Sequence, residues 1–367
     1  MFNRRMNVLQ TILFVVVLFG LSFWCWFKPS TDYSESERRS LDKMPEVNFS
    51  TLRSGKFMSS FEDYTLDQFP LRDKFRTLKA VSNLYIFGRM DNNDIYLTDD
   101  GVIGKIEYPL KDDSLISASN KFRYIFEKYL SEKNTNVYLS VIPDKNAFIA
   151  EENEKLVMDY NEFYKIMKDN CDFAKYIGIS SLLSIDDYYS TDTHWKQEKI
   201  VDVAERIASE MGVELTDKYE LKELDKDFYG VYYGQSALST MPDRIKYLSN
   251  DIIENCTVYD HQNGKKMSMY DMEKAYGKDP YEMFLSGSLS LITIENEKAT
   301  SDKDLVVFRD SFGSSIVPLL CSGYKSITVV DIRYISSVVL GDFVDFENKD
   351  VLFLYSTLVL NNSSMLK

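Results

Sequence analysis

The chain has 367 residues and a formal charge of −14, from 43 Lys plus Arg against 57 Asp plus Glu. Apolar residues make up 44% and aromatics 14%, which excludes a disordered chain and leaves room for one large domain or two ordinary ones. The acidic balance argues against nucleic acid, and two His with four scattered Cys argue against a zinc site. Histidine chemistry, if present, must use His194 or His261.

At the N-terminus, 22 residues without a charge lie between Arg5 and Lys28. About 20 apolar residues suffice to cross a bilayer. Arg4 and Arg5 precede the span, and Asp32, Glu35 and Glu37 follow it, so the positive-inside tendency puts the bulk of the chain outside the cytoplasm. Trp24 and Trp26 suit the interfacial belt, and no small-x-small cleavage site follows the span. Residues 1–28 therefore read as an uncleaved signal anchor, and the polar residues 29–60 as a stalk. Outside the membrane the odd set Cys171, Cys256 and Cys321 does not read as a disulfide framework, although a Cys171–Cys256 pair stays open.

Residues 61–367 read as the ectodomain. In residues 61–90, Phe75, Leu78, Val81, Leu84 and Tyr85 recur at three- and four-residue steps, predicting a helix with one apolar face. Asp100-Gly101 between two short apolar runs predicts a hairpin. Then an α/β rhythm begins. It comprises a helix over 117–132, the buried strand Asn136–Pro143, a helix over 151–170, a short strand over 178–185 and an amphipathic helix over 197–211. Residues 215–300, rich in Tyr and charge, read as an inserted or cap region. Strands at 305–308, 326–330 and 351–355, with a helix over 314–320, resume the rhythm. Alternating strands and helices predict a parallel sheet covered on both faces.

Two segments carry chemistry. Asp192-Thr193-His194-Trp195 places a carboxylate two residues from an imidazole, on one side of an extended stretch. Asp192 can then orient His194 as a base, although a surface Asp-x-His is also common. In Arg309-Asp310-Ser311-Phe312-Gly313, an apolar strand runs through a serine into a helix. Ser311 would sit at the carboxyl edge of the sheet with backbone N–H groups around it. Helix capping by Asp310 or Ser311 is the competing explanation. His261, in Asp260-His261-Gln262-Asn263-Gly264, reads as a solvated turn histidine.

Taken together, these segments resemble the DHHW protein family and the related alginate O-acetylation proteins, which are SGNH-hydrolase-like. Further blocks carry the resemblance: Ser36–Leu41 with Pro45, Phe61–Tyr64, Asp67–Asp73, Gly230–Gln235, Pro242-Asp243, Tyr281–Gly287 and Val330–Tyr334. The resemblance implies a triad of Ser311, His194 and Asp192 on an SGNH-like α/β fold. Thr193 stands where the family motif has a second His, and Ser288 stands where an Asn donor is expected. Oxyanion candidates are the N–H groups of Ser311 and Gly313, with Asp310 and Ser288 beside them. Tyr232 and Tyr233 are carried as glycan-site candidates, or as packing, and Lys145 and Asn146 as pocket candidates.

The function so implied is O-acetyl transfer to an exported polysaccharide by a membrane-anchored chain, with no metal or other cofactor. The acetyl donor would be a membrane-bound O-acyltransferase partner, alongside a glycan synthase complex. An acetylesterase using the same triad and a non-catalytic glycan-binding subunit are the alternatives.

Overall fold

In the computed structural model, all residues except Met1, Glu35, Arg38 and Asp217 are described, and they form two compact units. Glu35 of the membrane flank and Arg38 of the Ser36–Leu41 block thus lie outside the described residues. The first unit comprises Met1–Asn93 with Tyr233–Ser239, and the second the rest. The division between the units after Asn93 lies some thirty residues past residue 61, where the expected ectodomain begins.

In the first unit, the helix Phe2–Phe27 is long and apolar enough to cross a membrane. A single-pass anchor and a signal sequence both meet that description. Strands β1 (Tyr33–Ser34) and β2 (Arg39–Ser40) pair antiparallel. The expected stalk is not bare chain, because it holds the helix Phe49–Arg53 and the start of Lys56–Asp67. Helix Arg72–Val81 and a π-helical turn, Ser82–Ile86, follow. Asp67 is the hub here. Arg39 donates to it through both guanidinium nitrogens and holds its carboxyl down at about 2.

The second unit opens with the expected hairpin, β3 (Ile95–Leu97) and β4 (Ile103–Lys105). Its other strands are β5 (Asn136–Ile142), β6 (Lys175–Tyr176), β7 (Glu220–Phe228), β8 (Asp243–Ser249), β9 (Thr257–Asp260), β10 (Lys265–Met267), β11 (Leu291–Glu295), β12 (Asp304–Arg309), β13 (Ser326–Val330) and β14 (Asp350–Ser356). Eight of them form one mixed sheet in the order β10-β9-β11-β13-β12-β14-β5-β6. The run from β13 to β6 is parallel, and β11, β9 and β10 extend it antiparallel. The central strands β12 and β14 are apolar and buried, as strands covered on both faces must be.

Helices cover both faces. Val203 and Ile207 of helix Val201–Glu210 pack in one core with Ile316 and Leu320 of helix Gly313–Leu320. Leu115 and Phe122 of helix Asp112–Ile125 pack in the other with Phe163 and Met167 of helix Tyr160–Asn170. Residues 215–300 do not stand apart as a cap. They supply the β7–β8 ribbon and three strands of the main sheet. The strand expected over 178–185 is instead β6, a short edge strand at 175–176, followed by two 3₁₀ turns. All four cysteines are free thiols, so the Cys171–Cys256 pair is not made.

Candidate active site

Strand β12 delivers Ser311. It ends at Arg309, and Asp310 turns the chain toward helix Gly313–Leu320. Asp310 is fully buried. One carboxylate oxygen accepts the Phe312 N–H at 3.0 Å. The other accepts the Ser356 N–H at 2.8 Å and hydroxyl at 2.6 Å, at the end of β14. Asp310 is thus a tether for the turn, with both oxygens engaged. Gly313 closes the turn tightly, since a Cβ there would press against the Arg309 side chain.

His194 comes from a loop pinched between Tyr188 and Trp195, which bridge antiparallel. The stretch is not extended as the i, i+2 reading assumed. Asp192 and His194 meet because Asp192 Oδ1 closes an Asx turn, accepting the His194 N–H at 3.0 Å and lying 2.6 Å from Nδ1. Asp192 Oδ2 accepts the Val231 N–H at 2.7 Å. A carboxylate only accepts, so the proton sits on Nδ1 and Nε2 is left as the acceptor for the Ser311 hydroxyl, 2.8 Å away. Asp192 is buried, and His194 keeps 13% of its side chain exposed. The Trp195 indole joins the loop to the serine helix, donating to the Phe312 carbonyl at 3.1 Å and the Ser315 hydroxyl at 2.9 Å.

The sequence alone did not single out the residue stacked on this imidazole. The Tyr281 ring lies 3.9 Å from His194, centroid to centroid, at an interplanar angle of 11°. Its hydroxyl is fixed 2.9 Å from Ser315 Oγ. A buried tyrosine tied at its polar tip holds a flat wall against the ring. The signal was present in the Tyr281–Gly287 block but gave no hint of its partner.

The other candidates divide. Lys145 is no pocket residue. Its buried ammonium donates to the carbonyls of Ile103 (2.6 Å), Tyr189 (2.9 Å), Ser190 (3.1 Å) and Asp192 (3.1 Å). Burial pulls it down to about 7, opposed by the Asp243 and Asp192 charges. Asp243 grips the same loop from its N–H side, accepting from Ser190 N (2.9 Å), Thr191 N (2.7 Å) and the Thr191 hydroxyl (2.6 Å). The loop is therefore threaded between a cation and an anion. Asn146 is likewise buried and structural, bonded to Tyr96 and the Leu156 carbonyl.

Tyr232 is buried, with its hydroxyl on Thr193 at 3.1 Å, and Tyr233 falls in the first unit. Tyr232 is thus engaged in packing within the second unit. The Gly313 N–H donates to the Asp310 carbonyl at 3.1 Å, so it is not a spare oxyanion donor. The Ser311 N–H has no partner among the described residues. Ser288 is exposed and follows three left-handed residues, Leu285, Ser286 and Gly287. Arg309 ties this bend to the end of β12 through the Gly287 carbonyl at 3.0 Å. His261 sits at the β9–β10 turn, with Nε2 on Thr293 Oγ1 at 2.8 Å, and has no part in the cluster.

No family model and no curated protein matches this chain. Solved structures do. A DHHW family protein from Eubacterium siraeum superposes with a TM-score of 0.58 at 21% identity, over 75% of this chain and 95% of that one. This chain has the DHHW-protein fold. Bacillus cereus PatB1 shares it, with a TM-score of 0.56 at 21% identity over 73% and 97% of the two chains in a structure bearing a sulfonyl adduct. A second PatB1 structure gives 0.55 at 19% identity over the same shares. The resemblance read in the motifs thus extends to the DHHW-type arrangement of the mostly parallel sheet and its covering helices.

Proposed function

We propose that this chain is a membrane-anchored O-acetyltransferase that acylates an exported polysaccharide through a Ser311 acyl-enzyme. The observation that carries this reading is the continuous hydrogen-bonded line Asp192–His194–Ser311, at 2.6 and 2.8 Å. His194 takes the Ser311 proton as Oγ attacks the acyl carbonyl, and Asp192 stabilises the imidazolium. The Ser311 N–H is the first donor for the oxyanion, and Ser288 is the second candidate, carried from the family resemblance. His194 then returns its proton to the leaving group, and a sugar hydroxyl, deprotonated by His194 in turn, takes the acyl group. Acetyl reaches the outside through a membrane-bound O-acyltransferase partner, with a glycan synthase complex supplying the polymer. These partners come from the family resemblance.

The reading is tested with an acetylated chromogenic ester and a sulfonyl fluoride. Ser311→Ala and His194→Ala should each lower ester turnover by about a thousandfold or more and abolish sulfonylation, whereas His261→Gln should leave both unchanged. Adding acetylatable glycan should divert acetyl from water to sugar, read by mass spectrometry of the polymer. Acetate release indifferent to every glycan points to the esterase, and full polymer acetylation by Ser311→Ala in cells overturns the catalytic role.

A further inference from the structure

The segment Leu71–Met90 of the first unit has its polarity reversed. On helix Arg72–Val81, Arg72 and Arg76 point inward to Glu37, and Arg76 also donates to the Gly234 carbonyl at 2.8 Å. Phe75, Leu78, Val81 and Tyr85 recur at steps of three and four and face outward, 43%, 58%, 37% and 71% exposed. Leu71 and Ile86 lengthen the same exposed surface. A helix on a water-soluble domain does the opposite, turning its apolar stripe to the core. An apolar face of this extent calls for a cover.

Its position identifies the cover. The Gln68 side chain, just before this segment, accepts the Thr31 N–H at 2.9 Å and donates to the Thr31 carbonyl at 2.8 Å. Thr31 is three residues past Lys28, a reach of about 10 Å at most. Lys28 and Leu71–Lys74 line one cavity of about 390 Å³. The apolar face therefore begins beside the end of the apolar N-terminal helix. Charge agrees. Residues 71–90 hold five basic side chains (Arg72, Lys74, Arg76, Lys79, Arg89) and one acidic, Asp73, in a chain of net charge −14. Lys74, Lys79 and Arg89 are exposed around the apolar stripe. An apolar stripe edged by lysine and arginine is the composition of a helix that lies in a lipid interface.

We propose that the Leu71–Met90 face rests in the interface of the bilayer that holds the N-terminal helix, with phospholipid as its partner. This rests on the membrane-anchored reading of residues 1–28. The first unit is then held by two lipid contacts, one spanning and one lying flat, and its exposed cations meet anionic headgroups.

Photocrosslinking of the full chain in phosphatidylcholine–phosphatidylglycerol vesicles tests this. Benzoylphenylalanine replaces Phe19, Leu78, Tyr85 or Asp225 singly, and adducts are read by mass spectrometry. Phe19 reports anchoring independently, and Asp225 is the water-exposed control on β7. Lipid adducts at 78 and 85 within about threefold of those at 19, and at least tenfold above those at 225, are expected. Adducts at 19 without any at 78 and 85 overturn the proposal, as do crosslinks at 78 that join two copies instead. A lack of adducts at 19 removes the anchored reading itself, and the proposal with it.

Discussion

Lys145 shows how a single buried charge can shape a site it does not enter. Its four carbonyl acceptors include three from the loop that carries Asp192 and His194. Without the ammonium these carbonyls lose a buried donor, although Ser190 still accepts the Ile103 N–H at 2.9 Å, and the loop must shift to compensate. Lys145→Met should lower the kcat of ester turnover by about a hundredfold with KM nearly unchanged, since misplacement rather than lost substrate contact is at work. The low-field proton resonance of the His194–Asp192 bond should broaden or vanish in the same variant. Unchanged kcat with that resonance intact would mean the loop keeps its shape unaided. Its neighbour Asp144 makes a pH prediction. Burial raises this carboxyl to about 6, against lowering by the Thr357 and Tyr160 hydroxyls. The folded value thus exceeds the unfolded one, near 3.8. The stability it contributes is complete below the unfolded value and falls as pH rises through about 6. Relative to Asp144→Asn, the native chain should lose about 2 kcal/mol between pH 4 and pH 7 in denaturant melts.

Among the elements, the two that present Ser311 and His194 are held by different devices. The serine turn is fixed by Asp310 and by the parallel strands on either side of β12. The histidine loop is held by one backbone bond from β4, the Ile103 N–H to the Ser190 carbonyl at 2.9 Å, and otherwise by side chains and close backbone approach. Gly230 is the tightest such approach, because a Cβ at this position would overlap the backbone and Cβ of Asp192. Its N–H also donates to the Thr191 hydroxyl at 2.8 Å. Gly230→Ala should therefore displace Asp192 and cut ester turnover by about a hundredfold or more. Circular dichroism should meanwhile show the sheet intact, and wild-type turnover in this variant would mean that the Gly230 backbone can retreat. The same contrast explains what could be read in advance. Strands β5, β12, β13 and β14 are continuous apolar runs and announce themselves. The strands β9, β10 and β11 are short, and β9 and β10 carry polar residues on their open side, so they resembled a separate cap.

For the molecule as a whole, periodicity located helices but could not say what their faces meet. The Phe75–Tyr85 spacing was legible, yet the expected burial was not found, because Glu37 and Asp67 draw the arginine face inward. The triad residues were legible as motifs, since Asp-x-His and a strand-Ser-helix turn are local patterns. Their approach across 117 residues was not. Neither were Tyr281, Ser356 and Asp243, whose contributions arise only where distant segments meet.

The strand order has a consequence in time. β14, the last strand of the chain, does not close the sheet at an edge but lies between β12 and β5. As the chain emerges N-terminus first, the sheet keeps a gap at its centre until residues 350–356 arrive. Only then does Ser356 reach Asp310 and fix the turn that presents Ser311. A partly made chain can carry all three members of the Ser311–His194–Asp192 line and still lack the support that sets their spacing. The sheet's connectivity thereby delays the placing of Ser311 until residues 350–356 have been made.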